Sequence, residues 1–109
     1  MRIFKSRWFQ RFARKEGITD AVLREAVARA EKGQIDADLG GEVIKQRIAR
    51  PRQGKSKGYR TIILFRLGAK AFFVYGFAKS QRAKIVLSLT EHALAVRLKR
   101  GGFVEAKSE

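Results

Sequence analysis

Residues 43–66 read VIKQRIARPRQGKSKGYRTIILFR, and the pattern changes on either side of the only proline in the chain. Before it, in VIKQRIA, Ile44 and Ile48 fall on one side of an extended chain while Lys45 and Arg47 fall on the other. After it, YRTIILFR is almost continuously apolar, as a strand buried on both faces would be. AFFVYGFA, residues 71–78, repeats that pattern, and a tight turn is expected around Leu67-Gly68-Ala69-Lys70. The centre of the chain is therefore read as antiparallel strands with a basic hairpin loop between the first two.

The flanks read as helices. Trp8, Phe9, Phe12 and Ala13 recur at helical spacing and stop at Gly17, after a short edge strand in residues 1–5. Thr19 or Asp20 can cap a second helix whose apolar face is Leu23, Ala26, Val27 and Ala30, ended by Gly33 in a left-handed turn. QIDADLGGE, residues 34–42, reads as a loop. Its Asp36 and Asp38 suggest a calcium loop only faintly, because Arg47 stands where the bidentate glutamate is needed. A basic turn, Lys79-Ser80-Gln81-Arg82, follows the last clear strand, and residues 85–89 fit strand and helix equally. Thr90 can cap a last helix to about Arg100, with Leu94 and Leu98 inward and a frayed tail at 103–109. The order helix, helix, antiparallel strands, helix makes residues 1–109 a single α+β domain.

At 109 residues the chain can bury a modest core, and with no cysteine it has no disulfide, thiolate or cysteine–zinc chemistry. No apolar run approaches the roughly 20 residues of a membrane span. The basic N-terminus lacks a signal-type apolar segment, and a membrane-surface helix is the weaker reading of it, so a cytoplasmic location is expected. Charge is the strongest signal. Lys and Arg number 25 against 10 Asp and Glu, a net +15. Residues 43–84 carry twelve basic residues and no acid at all. Solvated faces normally mix signs, so an acid-free span of this length points to an anionic partner.

The Gly-Lys-Ser at 54–56 resembles the end of a nucleotide-binding P-loop, and the match fails. The motif needs glycine five residues earlier, where Ala49 stands, and a helix after the Lys-Ser, where a strand follows. Phosphate binding of another kind remains. Adjacent strands lie about 4.8 Å apart, so Lys45 and Arg47 can approach Arg60, and Lys79 and Arg82 can reach the same edge. Arg50, Arg52, Lys55 and Lys57 extend the charge along the loop, and Tyr59 and Tyr75 are possible stacking surfaces for bases. Tyr75, inside an apolar run, reads better as core.

His92 is the only histidine, with no carboxylate patterned around it, and the strands carry no carboxylate pair. RNA cleavage here would therefore run without metal or cofactor, through attack of the RNA's own 2′-hydroxyl on the neighbouring phosphate. Arginine would stabilise the phosphorane and a lysine, its proton affinity lowered by neighbouring cations, would act as base.

The run IKQRIARPRQGKSKGYRTIILFR, followed by FFVYGFAKSQR, resembles the RelE/HigB-type toxins of bacterial type II toxin–antitoxin pairs. RIFKSRWFQRFARKEGITD and DADLGG are similar to the same branch, so the likeness covers about residues 1–85. It implies two N-terminal helices packed on a small antiparallel sheet, with a C-terminal helix. It also implies an mRNA endonuclease acting on the ribosome, neutralised by a cognate antitoxin that is often a helix-turn-helix protein. Arg60 matches the family's arginine on the scissile phosphate. Lys45 and Arg47 match a basic strand pair, and Lys79 and Arg82 match basic positions after the last strand. Ser80 and Val86 depart from the pattern, standing where some relatives have an arginine and a catalytic tyrosine. Two alternatives stay open: a gyrase inhibitor of the ParE type, and a nucleic-acid-binding relative without catalysis.

Overall fold

The computed structural model describes residues 1–50, 54–66, 69–78 and 102–107, and the side chains of all of these except 50 and 54–57. The chain runs β1 (Arg2–Ser6), α1 (Arg7–Glu16), α2 (Asp20–Glu31), β2 (Ala37–Gly40), β3 (Val43–Arg50), β4 (Gly54–Leu64), β5 (Lys70–Ala78) and β6 (Phe103–Glu105). The strands form one sheet in the order β2-β3-β4-β5-β1-β6. Two helices lie against it, so the fold is α+β as the sequence indicates. The expected C-terminal helix with His92, the basic turn at 79–82, and Leu67 and Gly68 of the expected tight turn lie outside the described residues. No described helix is long and apolar enough to cross a membrane.

Both helices begin and end where the local chemistry requires. Ser6 caps α1: its hydroxyl oxygen accepts from the Phe9 N–H at 3.0 Å, and its proton goes to the Val74 carbonyl at 3.0 Å. One buried hydroxyl therefore ties the helix start to β5. Gly17, at φ 71°, ends α1 in the left-handed region, and Arg14 and Lys15 sit where the helix dipole favours cations. Thr19 caps α2 by accepting from the Val22 N–H, and Asp20 sits in the first turn. The core between helices and sheet is built on Phe9, Leu23, Val27, Ile48, Ile63 and Phe73. Gly76 passes directly under Phe12, where a Cβ would lie 2.6 Å from the ring, so α1 sits closer to β5 than any side chain at 76 permits. The opposite face carries a smaller cluster, Leu64 and Val74 with Val43 and Phe72.

Four expectations are corrected. Residues 37–40 are not loop: they form β2, the edge strand paired antiparallel with β3. The segment 1–5 is not an edge strand, because β1 runs parallel to β5 and antiparallel to β6, inside the sheet. The basic hairpin loop is shorter than expected. β4 begins at Gly54, which pairs with Arg50 across a register shift between Ile48 and Arg50. Finally, 103–105 is not frayed but is strand β6, whose Glu105 binds Arg2 through two bonds of 2.9 Å. Each miss concerns which segments pair, at short range for β2 and the hairpin and at long range for β1 and β6, and local pattern does not report pairing.

The C-terminal segment is latched by Asp20. Its carboxylate accepts from Lys5 Nζ at 2.8 Å and from the Lys107 N–H at 2.9 Å, while Arg24 donates to the Lys107 carbonyl. Burial pushes the Asp20 carboxyl up. The Lys5 and Lys107 hydrogen bonds, with the charges of Lys5 and Arg24, outweigh that and hold it below its ordinary range. A depressed carboxylate contributes stability that is present above its unfolded pKa and lost as pH falls through its folded pKa. Asp20→Asn should therefore lower the urea midpoint at pH 7 and flatten its fall on acidification. Its curve should meet that of the native protein once the pH has fallen through the lowered pKa of the folded-state Asp20. Parallel acid limbs would show that the latch contributes nothing.

Candidate phosphate-binding site

Strand alternation sorts β3 into two faces. Ile44, Gln46 and Ile48 are buried, and Gln46 Nε2 donates to the Ala26 carbonyl of α2 at 3.0 Å, which marks that face as the helix side. Lys45 and Arg47 therefore belong to the other face, as expected. In the β3–β4 register Arg47 lies directly opposite Arg60, and Lys45 opposite Ile62. Residues directly opposite in an antiparallel pair share a face, with Cβ atoms about 4.5–5.5 Å apart. Two guanidinium groups are thus brought side by side, a destabilising arrangement unless something offsets it.

Asp36 supplies part of the offset. Its carboxylate accepts from the Arg47 backbone N–H, and its Oδ1 lies 3.5 Å from Arg47 Nε. From the other side, Arg29 Nη2 donates to the Arg47 carbonyl at 2.6 Å, with Arg29 itself held by Glu25 at 2.7 Å. Arg47 is thereby gripped at both ends of its peptide unit while its guanidinium stays half exposed. Arg60 has no such grip: its Nη1 is buried and has no hydrogen-bond partner. Burial lowers the proton affinity of Arg60, and the Arg47 charge lowers it further against a smaller opposing pull from Asp36. A partly desolvated cation with an unused donor, beside a second cation, has the chemistry to receive an anion with several oxygens, such as a phosphodiester.

The remaining candidates divide. Tyr59 is corrected: it is not a surface for stacking bases. Only 3% exposed, it packs edge-on against Phe12 and its hydroxyl donates to Glu16 at 2.6 Å. The register puts it opposite Ile48, on the helix side, one residue from Arg60 and therefore on the wrong face. Tyr75 is half buried, stacked on Trp8 with ring centroids 4.3 Å apart. Arg50 lies on β3 and Lys55 and Lys57 lie on β4, with side chains that are not described. Arg52, Lys79, Ser80, Arg82 and Val86 fall outside the described residues.

Two residues at this site were not foreseen. Asp36 falls in a segment that reads as loop from the sequence. The available signal was its position among the last acids before the acid-free span. Gln46 is fully buried and joins three partners: Nε2 donates to the Ala26 and Gln34 carbonyls, and Oε1 accepts from the Asp36 N–H at 3.1 Å. It thereby fixes the segment that carries Asp36. Its signal was a polar residue in register between Ile44 and Ile48. Asp38, two residues on from Asp36, accepts from the Gly40 N–H at 2.8 Å.

Neither a curated protein nor a solved structure matches the chain. A protein-family model does, over residues 1–105; it describes the RelE toxin of the RelE/RelB toxin–antitoxin system. The match spans both helices, the whole sheet and the paired arginines, so the chain belongs to the RelE family of toxins from toxin–antitoxin systems.

Proposed function

We propose that this toxin is a metal-independent mRNA endonuclease that acts on the ribosome and inhibits translation in the cytoplasm. Membership of the family implies a cognate antitoxin. The observation that carries the reading is the Arg60 guanidinium, with one buried nitrogen lacking an acceptor, beside Arg47 on one face of the sheet. In the proposed reaction the 2′-oxygen of one nucleotide bonds to the adjacent phosphorus and the bond to the 5′-oxygen of the next nucleotide breaks. A base takes the 2′-hydroxyl proton, a proton reaches the departing 5′-oxygen, and the products are a 2′,3′-cyclic phosphate and a 5′-hydroxyl. Arg60 and Arg47 stabilise the charge that grows on the non-bridging oxygens, where preorganised donors are worth several kcal/mol. Lys45, two residues from Arg47 on the same face of β3, is the described lysine placed to take the proton. The antitoxin is read as an acidic surface covering this face, as a helix-turn-helix protein or otherwise, because a protein of charge +15 favours a partner of opposite sign.

Primer extension on a defined message, with purified protein and with or without ribosomes, tests the proposal. Cuts that appear only on translated message are the expected result. An intact message in both lanes would overturn it in favour of gyrase inhibition or binding without cleavage.

A further inference from the structure

Asp36 is the one carboxylate, among the described residues, with contacts to the arginine pair. Its backbone N–H is fixed by the fully buried Gln46, and its two oxygens meet the N–H and the Nε of Arg47. Neither contact uses the Nη atoms of Arg47. The side chain of Arg47 is 46% exposed. The Asp36 Oδ1 lies beside the inner edge of the Arg47 guanidinium, 3.5 Å from Nε, and it supplies negative charge that offsets the repulsion between Arg47 and Arg60. The same negative charge must oppose an arriving phosphodiester.

We propose that Asp36 is a positioning residue for the arginine pair: a resident counter-ion that orients Arg47 for the transition state at some expense in affinity for the RNA ground state. This rests on the reading of the Arg47–Arg60 face as the phosphodiester site. Asp36 does not touch the reacting atoms; it acts through Arg47. A residue that only stabilised the fold would alter melting and leave binding and cleavage by the folded protein unchanged. A positioning counter-ion moves affinity and turnover in opposite directions.

The test compares the full-length protein with D36N and D36E. Binding is read by fluorescence anisotropy with a short RNA blocked by 2′-O-methyl groups, which cannot be cleaved, over a range of salt concentrations. Turnover is read as single-turnover cleavage on programmed ribosomes. D36N should bind about fivefold more tightly, because one opposing charge is gone, and cleave about tenfold more slowly, because Arg47 loses its guide. D36E keeps the charge and should recover most of both values. Unchanged affinity, or tighter binding with undiminished cleavage, would overturn the proposal, as would a D36N loss that tracks thermal melting alone. Arg60→Ala serves as the separate control. If it binds and cleaves like the native protein, the phosphodiester site lies elsewhere whatever Asp36 does.

Discussion

Arg60→Ala should abolish growth arrest on expression and slow message cleavage by about 10²–10³-fold, which is what removing one preorganised donor to a developing oxyanion costs elsewhere. The fold should not suffer. In the native protein Arg60 is partly desolvated, faces Arg47 across the strand pair and leaves a buried nitrogen without an acceptor. Each of those features weakens the free protein, so truncation removes a repulsion and an unmet donor together with the activity. A urea midpoint equal to or above that of the native protein, with toxicity gone, is the expected pair of results. Arg60→Lys separates charge from shape. Lysine restores the positive charge but not the planar donor fork, so it should recover RNA binding far better than cleavage. Full toxicity in the alanine variant would remove Arg60 from the site.

The same strand pair shows how far a sequence can be read. The alternation of Ile44, Lys45, Arg47 and Ile48 is a property of neighbouring residues, so the outward face of β3 was legible. That Arg47 stands opposite Arg60 depends on register, which the shift between Ile48 and Arg50 alters and no local pattern records. In β4 the run from Thr61 to Leu64 offers no alternation, because side chains on both faces are buried. The side on which Tyr59 lies was therefore invisible, and its ring was expected beside the arginines instead of under Phe12. β2 was missed because ADLG has little intrinsic preference for extended structure and is a strand only by pairing with β3. β6 is three residues long and exists through β1, at the other end of the chain. Its Glu105 and Arg2 lie 103 positions apart. Three helix ends were legible, since Gly17, Thr19 and Gly33 act on their own neighbours; the Ser6 cap of α1 was not read from the sequence.

Gln46 joins the fold to the arginine pair, because the packing of α2 on β3 and the placement of Asp36 both use its amide. Among polar side chains it is unusual in being fully buried, and it reaches α2 through the Ala26 carbonyl, the following turn through the Gln34 carbonyl, and Asp36 through its N–H. Gln46→Leu keeps nearly the same volume in the core, so packing alone predicts little change. The polar accounting predicts the reverse. Three backbone groups lose the amide at once; the Ala26 carbonyl keeps its place in the α2 ladder and the Gln34 and Asp36 bonds are only part-buried, so a loss of about 1–3 kcal/mol is expected. The urea midpoint should fall accordingly. Amide exchange should accelerate first at Asp36, the one N–H among the three. The variant should also lose cleavage beyond what its unfolded fraction explains, since a freed Asp36 no longer directs Arg47. Gln46→Glu gives the contrasting case. A carboxylate can still accept from the Asp36 N–H but has no donors for the two carbonyls, so it should lose stability and retain more of the activity of its folded fraction than the leucine variant does. Equal loss of specific activity in both would mean that Gln46 supports the site only by keeping the protein folded.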